Sequence, residues 1–499
     1  MNNSRRALRS AAVAVAGLAT AAGLPAGLAS AQAAAAHSGP ELKLVVAQRS
    51  VNVPRYGKRV YIDPGVYFTA VGSALQFDVA RAGYGKPITI NQVTRSHGRV
   101  VVRPVPRKML EGWRGLRSFM RVTVRNPGGK LVASHVGAFC PDTYNAERSG
   151  PNAPSGSPFP QQCASDPFQL GSVWGLQRGW GVDAAFVAAK LPLGKYTVTV
   201  NVTTMWQRFL HMTARGSTAS VRIKVVNGSR CGYPCPARHD RRHPARSGVL
   251  PELPANVPTL ANPPASSLPD LVPLPSWGIN VNHQGRKNTP GKDVLTFGAT
   301  VWIGGHSRLD VQGFRSHGSP VMKAYQYFWK NGRVIGRARA GTMGFDKNPG
   351  HTHWHFEQFA QYRLLNASKS LVVRSQKVGF CIAPTDGVNL LIPHALWVPT
   401  FTGFGGACGS PDALWVQEEL PLGWGDTYQQ FLAGQAFDVS NLPNGTYYIE
   451  VIANPEKVLH ESNMKNDVSL RKIILGGTPG NRTVKVPAYH GIDPEHVQG

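Results

Sequence analysis

A long internal repeat constrains this chain more than any other feature. Phe186-Val-Ala-Ala-Lys-Leu-Pro192 returns as Phe437-Asp-Val-Ser-Asn-Leu-Pro443 at identical spacing. Each copy then passes a glycine and enters an alternating run, Lys195-Tyr-Thr-Val-Thr-Val200 and Thr446-Tyr-Tyr-Ile-Glu-Val451. Leu210-His211 before Ser220-Val-Arg matches Leu459-His460 before Ser469-Leu-Arg. Upstream, Val136-Gly-Ala-Phe-Cys140 parallels Lys377-Val-Gly-Phe-Cys381, and Gly179-Trp-Gly181 parallels Gly423-Trp-Gly425. Period-two alternation bounded by Gly and Pro specifies strands and turns, and helical periodicity is scarce. The expected fold is therefore all-β: two tandem β-sandwich-like domains whose long loops carry function. The boundaries read from the sequence are 1–36 for a leader, 37–228 and 268–478 for the two copies, a Pro-rich linker over 229–267, and a tail over 479–499.

The leader has Arg5, Arg6 and Arg9, an Ala/Val/Leu-rich stretch and small residues around Ala31-Gln-Ala33, the pattern of a secretory signal peptide, with twin-arginine export left open. No later stretch is long and apolar enough for a membrane span. Six cysteines suit an oxidising exterior, and proximity suggests the pairs Cys140–Cys163, Cys231–Cys235 and Cys381–Cys408. The net charge of +27 invites a nucleic-acid reading until it is located. Residues 263–478 carry 19 Lys and Arg against 15 Asp and Glu, and 479–499 balance, so +23 lies in residues 1–262. No RNP-type or helical basic pattern accompanies it, so a specific nucleic-acid partner is not expected. A secreted basic half fits an anionic wall polymer or matrix, the alternative being a merely solvated surface.

Chemistry concentrates in the second copy. His351-Thr-His353-Trp-His355 on a strand would present three imidazoles on one face, within reach of one metal ion, with Trp354 and Phe356 on the other. Imidazole suits copper, zinc, iron or nickel, and a carboxylate-free His₃ set leaves coordination positions open. The alternative is a histidine-rich solvated strand. In the first copy the stretch before Cys140 is Glu111-Gly-Trp-Arg-Gly-Leu-Arg117, Val136 stands opposite Lys377, and the segment opposite Asp426-Thr-Tyr428 is truncated. It retains the scaffold without the reactive groups.

His351-x-His353-x-His355, then Lys377-x-x-Phe380-Cys381, then Gly425-Asp-Thr-Tyr428, in that order, resemble the lysyl oxidase catalytic domain. Asp270-Leu-Val-Pro273 resembles the family's opening motif and Glu461-Ser-Asn463-Met-Lys-Asn466-Asp467 its closing one. The resemblance implies a secreted copper amine oxidase with His351, His353 and His355 as copper ligands. Lys377 and Tyr428 would be joined as lysine tyrosylquinone. It further implies that a primary amine, peptidyl lysine included, and dioxygen give an aldehyde, ammonia and hydrogen peroxide. Asp426 is the candidate base by proximity, with a solvated turn Asp as the alternative. Asp270, Leu271, Glu461, Asn463, Asn466 and Asp467 form the set implied for calcium, with a capped turn tying the ends of the domain as the alternative. Trp424 stands where animal relatives have a cysteine beside the quinone tyrosine, and Asn348-Pro-Gly350 where they have a further histidine.

Two other readings compete. His351-x-His353-x3-Glu357 fits a two-His, one-carboxylate iron site of a cupin-type oxygenase, although His394 has no second cupin motif around it. A non-catalytic, metal-binding β-sandwich wall protein is the other.

Overall fold

Alternation decides the local structure: in Gly194–Val202, Tyr196, Val198, Val200 and Val202 are buried while Lys195 and Thr197 face water. The computed structural model describes residues 40–490, apart from 97–98, 144–145, 150–151, 155, 161–162, 164–165, 184–186, 228–256, 285–290, 317, 347–352, 376, 378, 398–407, 410 and 433. The first half contains β1 (Glu41–Val46), β2 (Ser50–Tyr56), β3 (Arg59–Ile62), β4 (Val66–Val71), β5 (Leu75–Ala80), β6 (Thr89–Ser96), β7 (Arg99–Pro104), β8 (Leu116–Arg125), β9 (Leu131–Phe139), β10 (Glu147–Arg148), β11 (Gly171–Leu176), β12 (Trp180–Asp183), β13 (Val187–Ala189), β14 (Gly194–Val202) and β15 (Thr218–Asn227). The second contains β16 (Pro269–Pro273), β17 (Trp277–Gln284), β18 (Lys292–Gly305), β19 (Leu309–Phe314), β20 (Val321–Lys330), β21 (Arg333–Asp346), β22 (His353–Phe356), β23 (Ala360–Leu365), β24 (Leu371–Arg374), β25 (Asp386–Gly387), β26 (Trp415–Leu420), β27 (Trp424–Tyr428), β28 (Ala436–Asp438), β29 (Gly445–Ala453), β30 (Val468–Thr478) and β31 (Asn481–Lys485). The fold is all-β, with one short helix at Thr204–Phe209 among the described residues.

Strand pairing follows one plan in both halves. The order β1-β4-β12 recurs as β16-β18-β27, and β11-β5-β6-β7 as β26-β19-β20-β21. The ladder β15-β14-β8-β9 recurs as β30-β29-β23-β24. Tyr196 donates its hydroxyl hydrogen bond to the carbonyl of Pro192, and Tyr447 does the same to Pro443. The correspondence ends at the edges: β22 is added outside β21, whereas β7 ends its sheet, and β15 has parallel β2 beside it where β30 has antiparallel β31. Each half buries its own core, one around Phe68, Phe119, Trp174 and Trp206, the other around Phe297, Trp354, Tyr362, Phe380 and Trp424.

The sequence-based boundaries shift where tertiary contacts intervene. Residues 257–267, expected as exposed linker, already lie on the second half: Thr259 bridges Arg337, Leu260 donates to the carbonyl of Arg337, and Ser267 is buried. The sheet also continues past 478, because β31 pairs with β30. The halves meet directly. The amides of Leu170 and Gly171 donate to the carbonyl of Val388, and that of Leu390 to the carbonyl of Gly171. Phe159 and Val173 of the first half belong to the core of the second.

Candidate active site

Strand β22 lies antiparallel to β21, with His353 opposite Asp346 and His355 opposite Gly344. Side chains at i and i+2 share a face, and the rings of His353 and His355 have centroids 4.7 Å apart. Trp354 and Phe356 point the other way into the core. His355 Nδ1 lies 3.8 Å from a carboxylate oxygen of Asp346, beyond hydrogen-bonding distance but within reach of its charge. His351 falls outside the described residues. The two described rings fit a copper site in spacing and donor type. Among the described residues, one cluster of three His, Cys, Asp or Glu donor groups is close enough to share an ion, Cys140, Asp142 and Cys163. Its two sulfurs are joined in a disulfide and are not thiolate donors.

A second segment closes over β22. Phe356 and Phe380 exchange backbone hydrogen bonds of 2.8 and 2.9 Å, and the amide of Trp354 donates to the carbonyl of Cys408 at 2.7 Å. Because Cys381 is bonded to Cys408, the disulfide joins the two segments that pair along the edge of the histidine strand opposite β21. The approach requires glycine: at Gly379, with φ +82°, a Cβ would lie 2.8 Å from the Cβ of His355. At Gly434, with φ +84°, one would lie 3.1 Å from the Cα of Lys377. The register Leu116–Phe139 is the first half's counterpart of Phe356–Phe380, so Trp113 and Gly115 stand where the second half has His353 and His355.

Lys377, Asp426 and Tyr428 converge beside this clasp. The Lys377 Nζ lies 4.5 Å from the centroid of the Tyr428 ring and 5.4 Å from that of Phe380. Phe380 meets Tyr428 edge-on at 5.0 Å. The Tyr428 hydroxyl accepts from the amide of Cys381 at 2.9 Å and donates to its carbonyl at 3.2 Å. Asp426 and Tyr428, two apart on β27, share a face. The expectation of a solvated turn aspartate fails here, for Asp426 sits within β27 and is 3% exposed.

Burial governs the electrostatics. It lowers the Lys377 pKa from the ordinary lysine value, against the opposing pull of Asp426 and Asp346. It raises that of Asp426 well above the carboxylate range, opposed by Lys377 and a hydrogen bond from the Ala383 amide. Amine and carboxyl are thus both pushed toward their uncharged forms. Burial, then Asp426, Tyr362 and Glu418, raise the Tyr428 phenol, and the Cys381 amide alone pulls it down.

Several participants escaped the sequence reading. Glu418 is fully buried, with Oε2 accepting from the amide of Ile382. Asp386, also fully buried, stands opposite Gly425 beside Asp426. A signal existed for Glu418: in Val416-x-Glu418-x-Leu420 alternation puts it on the apolar face. On the first-half strand β12, Val182 takes the place of Asp426, because Gly181 and Val182 face Thr69 and Phe68 as Gly425 and Asp426 face Trp302 and Val301. That strand is present up to Asp183, so the expected truncation begins after it, at residues outside the described set.

The calcium set gathers at the other end of β18. Asp270 faces Gly304 there and Tyr428 faces Ala299, five residues and roughly 17 Å away at the strand rise. Asp270 Oδ1, Asn466 Oδ1 and Asp467 Oδ1 are buried without hydrogen-bond partners. Glu461 is committed otherwise, accepting from the amide of Leu271 and the amide side chain of Asn454, and Asn463 caps the turn at Lys465. Burial raises Glu461 to about 7 and Asp467 to about 6.

Residues 413–482, containing Asp426, Tyr428 and the Glu461–Asp467 segment, match the family model of lysyl oxidase. The chain is similar to lysyl oxidase homolog 4 of Bos taurus and of Homo sapiens, each 28% identical over 138 residues, covering 28% of this chain and 16% of the relative. It is also similar to lysyl oxidase homolog 2 of Gallus gallus, 26% identical over 142 residues, with 28% and 16% coverage.

Proposed function

We propose that this chain, similar to the lysyl oxidase family over residues 413–482, is a secreted, copper-dependent amine oxidase acting through a lysine tyrosylquinone made from Lys377 and Tyr428. The observation that carries the reading is the Lys377 amine held over the ring of Tyr428 while the phenol oxygen is fixed between the amide and carbonyl of Cys381. His353 and His355, with His351, would hold copper, which supplies the redox chemistry that turns the Tyr428 ring into an electrophile able to accept a substrate amine. The overall stoichiometry is a primary amine, dioxygen and water giving an aldehyde, ammonia and hydrogen peroxide.

The protein's own contributions follow from burial. Burial favours the uncharged, nucleophilic amine of Lys377, and Asp426, in its ionised carboxylate form, can take up the proton released when that nitrogen bonds to carbon. The same group as a carboxylate, near Lys377 and on the face of Tyr428, can take the α-proton from a substrate carbon, its raised pKa making it the stronger base. Phe380, Tyr362 and Trp424 exclude water around that exchange. The carboxylate of Glu357 accepts from the Thr342 hydroxyl at 2.7 Å, a role in the sheet that supports this reading over an iron site using Glu357. Three buried, unpartnered oxygens from Asp270, Asn466 and Asp467 support calcium at the far end of the domain, where it ties the first strand to the closing loop. The shared strand order supports reading the halves as two copies, the first without reactive groups.

The first half adds a partner surface. The sheet β13-β3-β2-β15-β14-β8-β9 contains no Asp or Glu, and its exposed positions include Arg121, Arg125, Lys195, Arg222 and Lys224. Lys195 lies directly opposite Lys224, a like-charge pairing that disfavours the sheet and suits a bound polyanion. This supports an anionic wall polymer as its partner. In the full chain, R222E/K224E should weaken binding to a phosphate polymer and lower its salt dependence by roughly two counterions; unchanged binding would remove the surface from the account.

The decisive test is peptide mass spectrometry of the copper-loaded protein. A cross-linked Lys377–Tyr428 peptide, with peroxide released on adding a primary amine, is the expected result. Folded, copper-loaded protein without the cross-link would overturn the proposal and favour a metal-binding protein without catalysis.

A further inference from the structure

We propose that the first half is a brace for the reactive strand, with Asp166 and Gln169 as positioning residues that hold β25 and β27 where Tyr428 meets Lys377. The connection is continuous. The amides of Leu170 and Gly171 donate to the carbonyl of Val388 and that of Leu390 returns to Gly171, and β25, immediately before, pairs with β27 at Asp386–Gly425 and Gly387–Trp424. Gln169 is buried and donates from Nε2 to Oδ1 of Asp386 at 3.3 Å.

A second path reaches the same strand from the opposite edge. Asp166 is buried, accepts at 2.8 Å from the amide of Phe168, and lies near enough to Thr300 that this side chain lowers the carboxyl's pKa. The hydroxyl of Thr300 lies 2.8 Å from that of Thr427, and the amide of Thr427 donates to the Thr385 hydroxyl at 2.8 Å. Thr427 stands between Asp426 and Tyr428, so both of its faces are fixed. Between the two paths Phe168 packs with Leu274, Trp277 and Val388. The contact is too close for side chains to be exchanged freely: a Cβ on Gly387 would lie 3.0 Å from the Ser172 hydroxyl, and one on Gly171 3.1 Å from the amide of Leu390. A half that had merely lost its chemistry would not need to place two buried polar side chains against the strand that carries it.

The catalytic consequence rests on reading Lys377 and Tyr428 as cofactor precursors, while the brace is testable without it. The full chain is used, with Gln169→Leu, which keeps volume and removes the donor, and with Asp166→Ala against Asp166→Asn. Hydrogen–deuterium exchange of peptides spanning 424–428 should rise roughly tenfold in Gln169→Leu and Asp166→Ala, as expected when a buried hydrogen bond that limits local opening is lost. Asp166→Asn, which keeps acceptor geometry, should restore protection. After copper loading, the cross-linked fraction should fall in the first two variants with copper uptake unchanged, and kcat should fall more than KM rises. Unchanged exchange over 424–428 in folded Gln169→Leu overturns the brace whatever the copper chemistry does. Wild-type protein lacking the cross-link overturns the cofactor reading instead, and the exchange result still decides the brace.

Discussion

Opening the Cys381–Cys408 disulfide is the perturbation whose outcome the structure specifies most fully. The bond closes a sequence separation of 27, which in the chain-entropy treatment corresponds to about 3.5 kcal/mol of stability. Cys140–Cys163, at a separation of 23, gives about 3.4 kcal/mol by the same treatment. The two double-serine variants, C381S/C408S and C140S/C163S, should therefore lose similar amounts in urea unfolding. Their local effects should differ. Only the Cys381–Cys408 pair brackets β22, through the Trp354–Cys408 and Phe356–Phe380 hydrogen bonds, and only Cys381 holds the Tyr428 hydroxyl. Exchange over 353–356 and copper loss during dialysis against a weak chelator should rise in C381S/C408S and stay near wild type in C140S/C163S. Equal protection of 353–356 in both variants would refute the clasp, leaving the bond as a purely entropic tether.

Other substitutions test single contacts. Tyr428→Phe leaves the amide and carbonyl of Cys381 without their partner and should cost about 1–3 kcal/mol while abolishing the cross-link; unfolding curves and peptide masses report both. Lys377→Ala should bind copper and form no cross-link, whereas His353→Ala should bind none, as metal analysis of the purified proteins will show. Asp166 is raised from 3.8 to about 7, by burial first and then by Asp386, against Arg81, Thr300 and the Phe168 amide. Its native form holds a proton that the unfolded chain releases near 3.8, so the stability it confers is complete below that pH and is lost as pH rises through about 7. Asp166→Asn should flatten that decline and exceed wild type above pH 7 by on the order of 4 kcal/mol, read from thermal or urea melts at pH 5 and 8; a variant with the wild-type slope would assign the pH dependence elsewhere.

The scaffold was legible because its signals are local. The Leu-Pro turns before Tyr196 and Tyr447 and the alternation after them set strands whose hydrogen-bonding order then recurs in both halves. Lys377, Asp426 and Tyr428 were legible as members of ordered motifs, although residues 377 and 428 meet only through tertiary packing. The environment of Asp426 was not. Two residues from a tyrosine in a Gly-Asp-Thr-Tyr run, it looks like a turn aspartate, and nothing adjacent reports that Glu418 and Asp386 approach from other strands. Burial of a charged group is created by neighbours distant in sequence, and a two-residue strand such as β25 leaves almost no periodic signal.

The relation between the halves was hidden for the same reason and changes what the repeat means. Sequence comparison isolates what the first half lacks: Val136 for Lys377, and by register Val182 for Asp426 and Trp113 and Gly115 for the histidines. What it contributes lies in Asp166-Pro-Phe-Gln169, outside the matching segments, where Asp166, Phe168 and Gln169 are all buried. On the proposed cofactor reading, the strand carrying Tyr428 needs its other contacts fixed, because a shift of an ångström between Lys377 and the ring would cost the proximity that bond formation requires. The second half secures the near side of β27 with its own Cys381 segment. On the far side, Asp166 lies beside Thr300 and Asp386 accepts from Gln169. The first half thus presents a folded surface to the strand that carries Asp426 and Tyr428, and on the proposed brace the second half expressed alone should lack that support even where it folds.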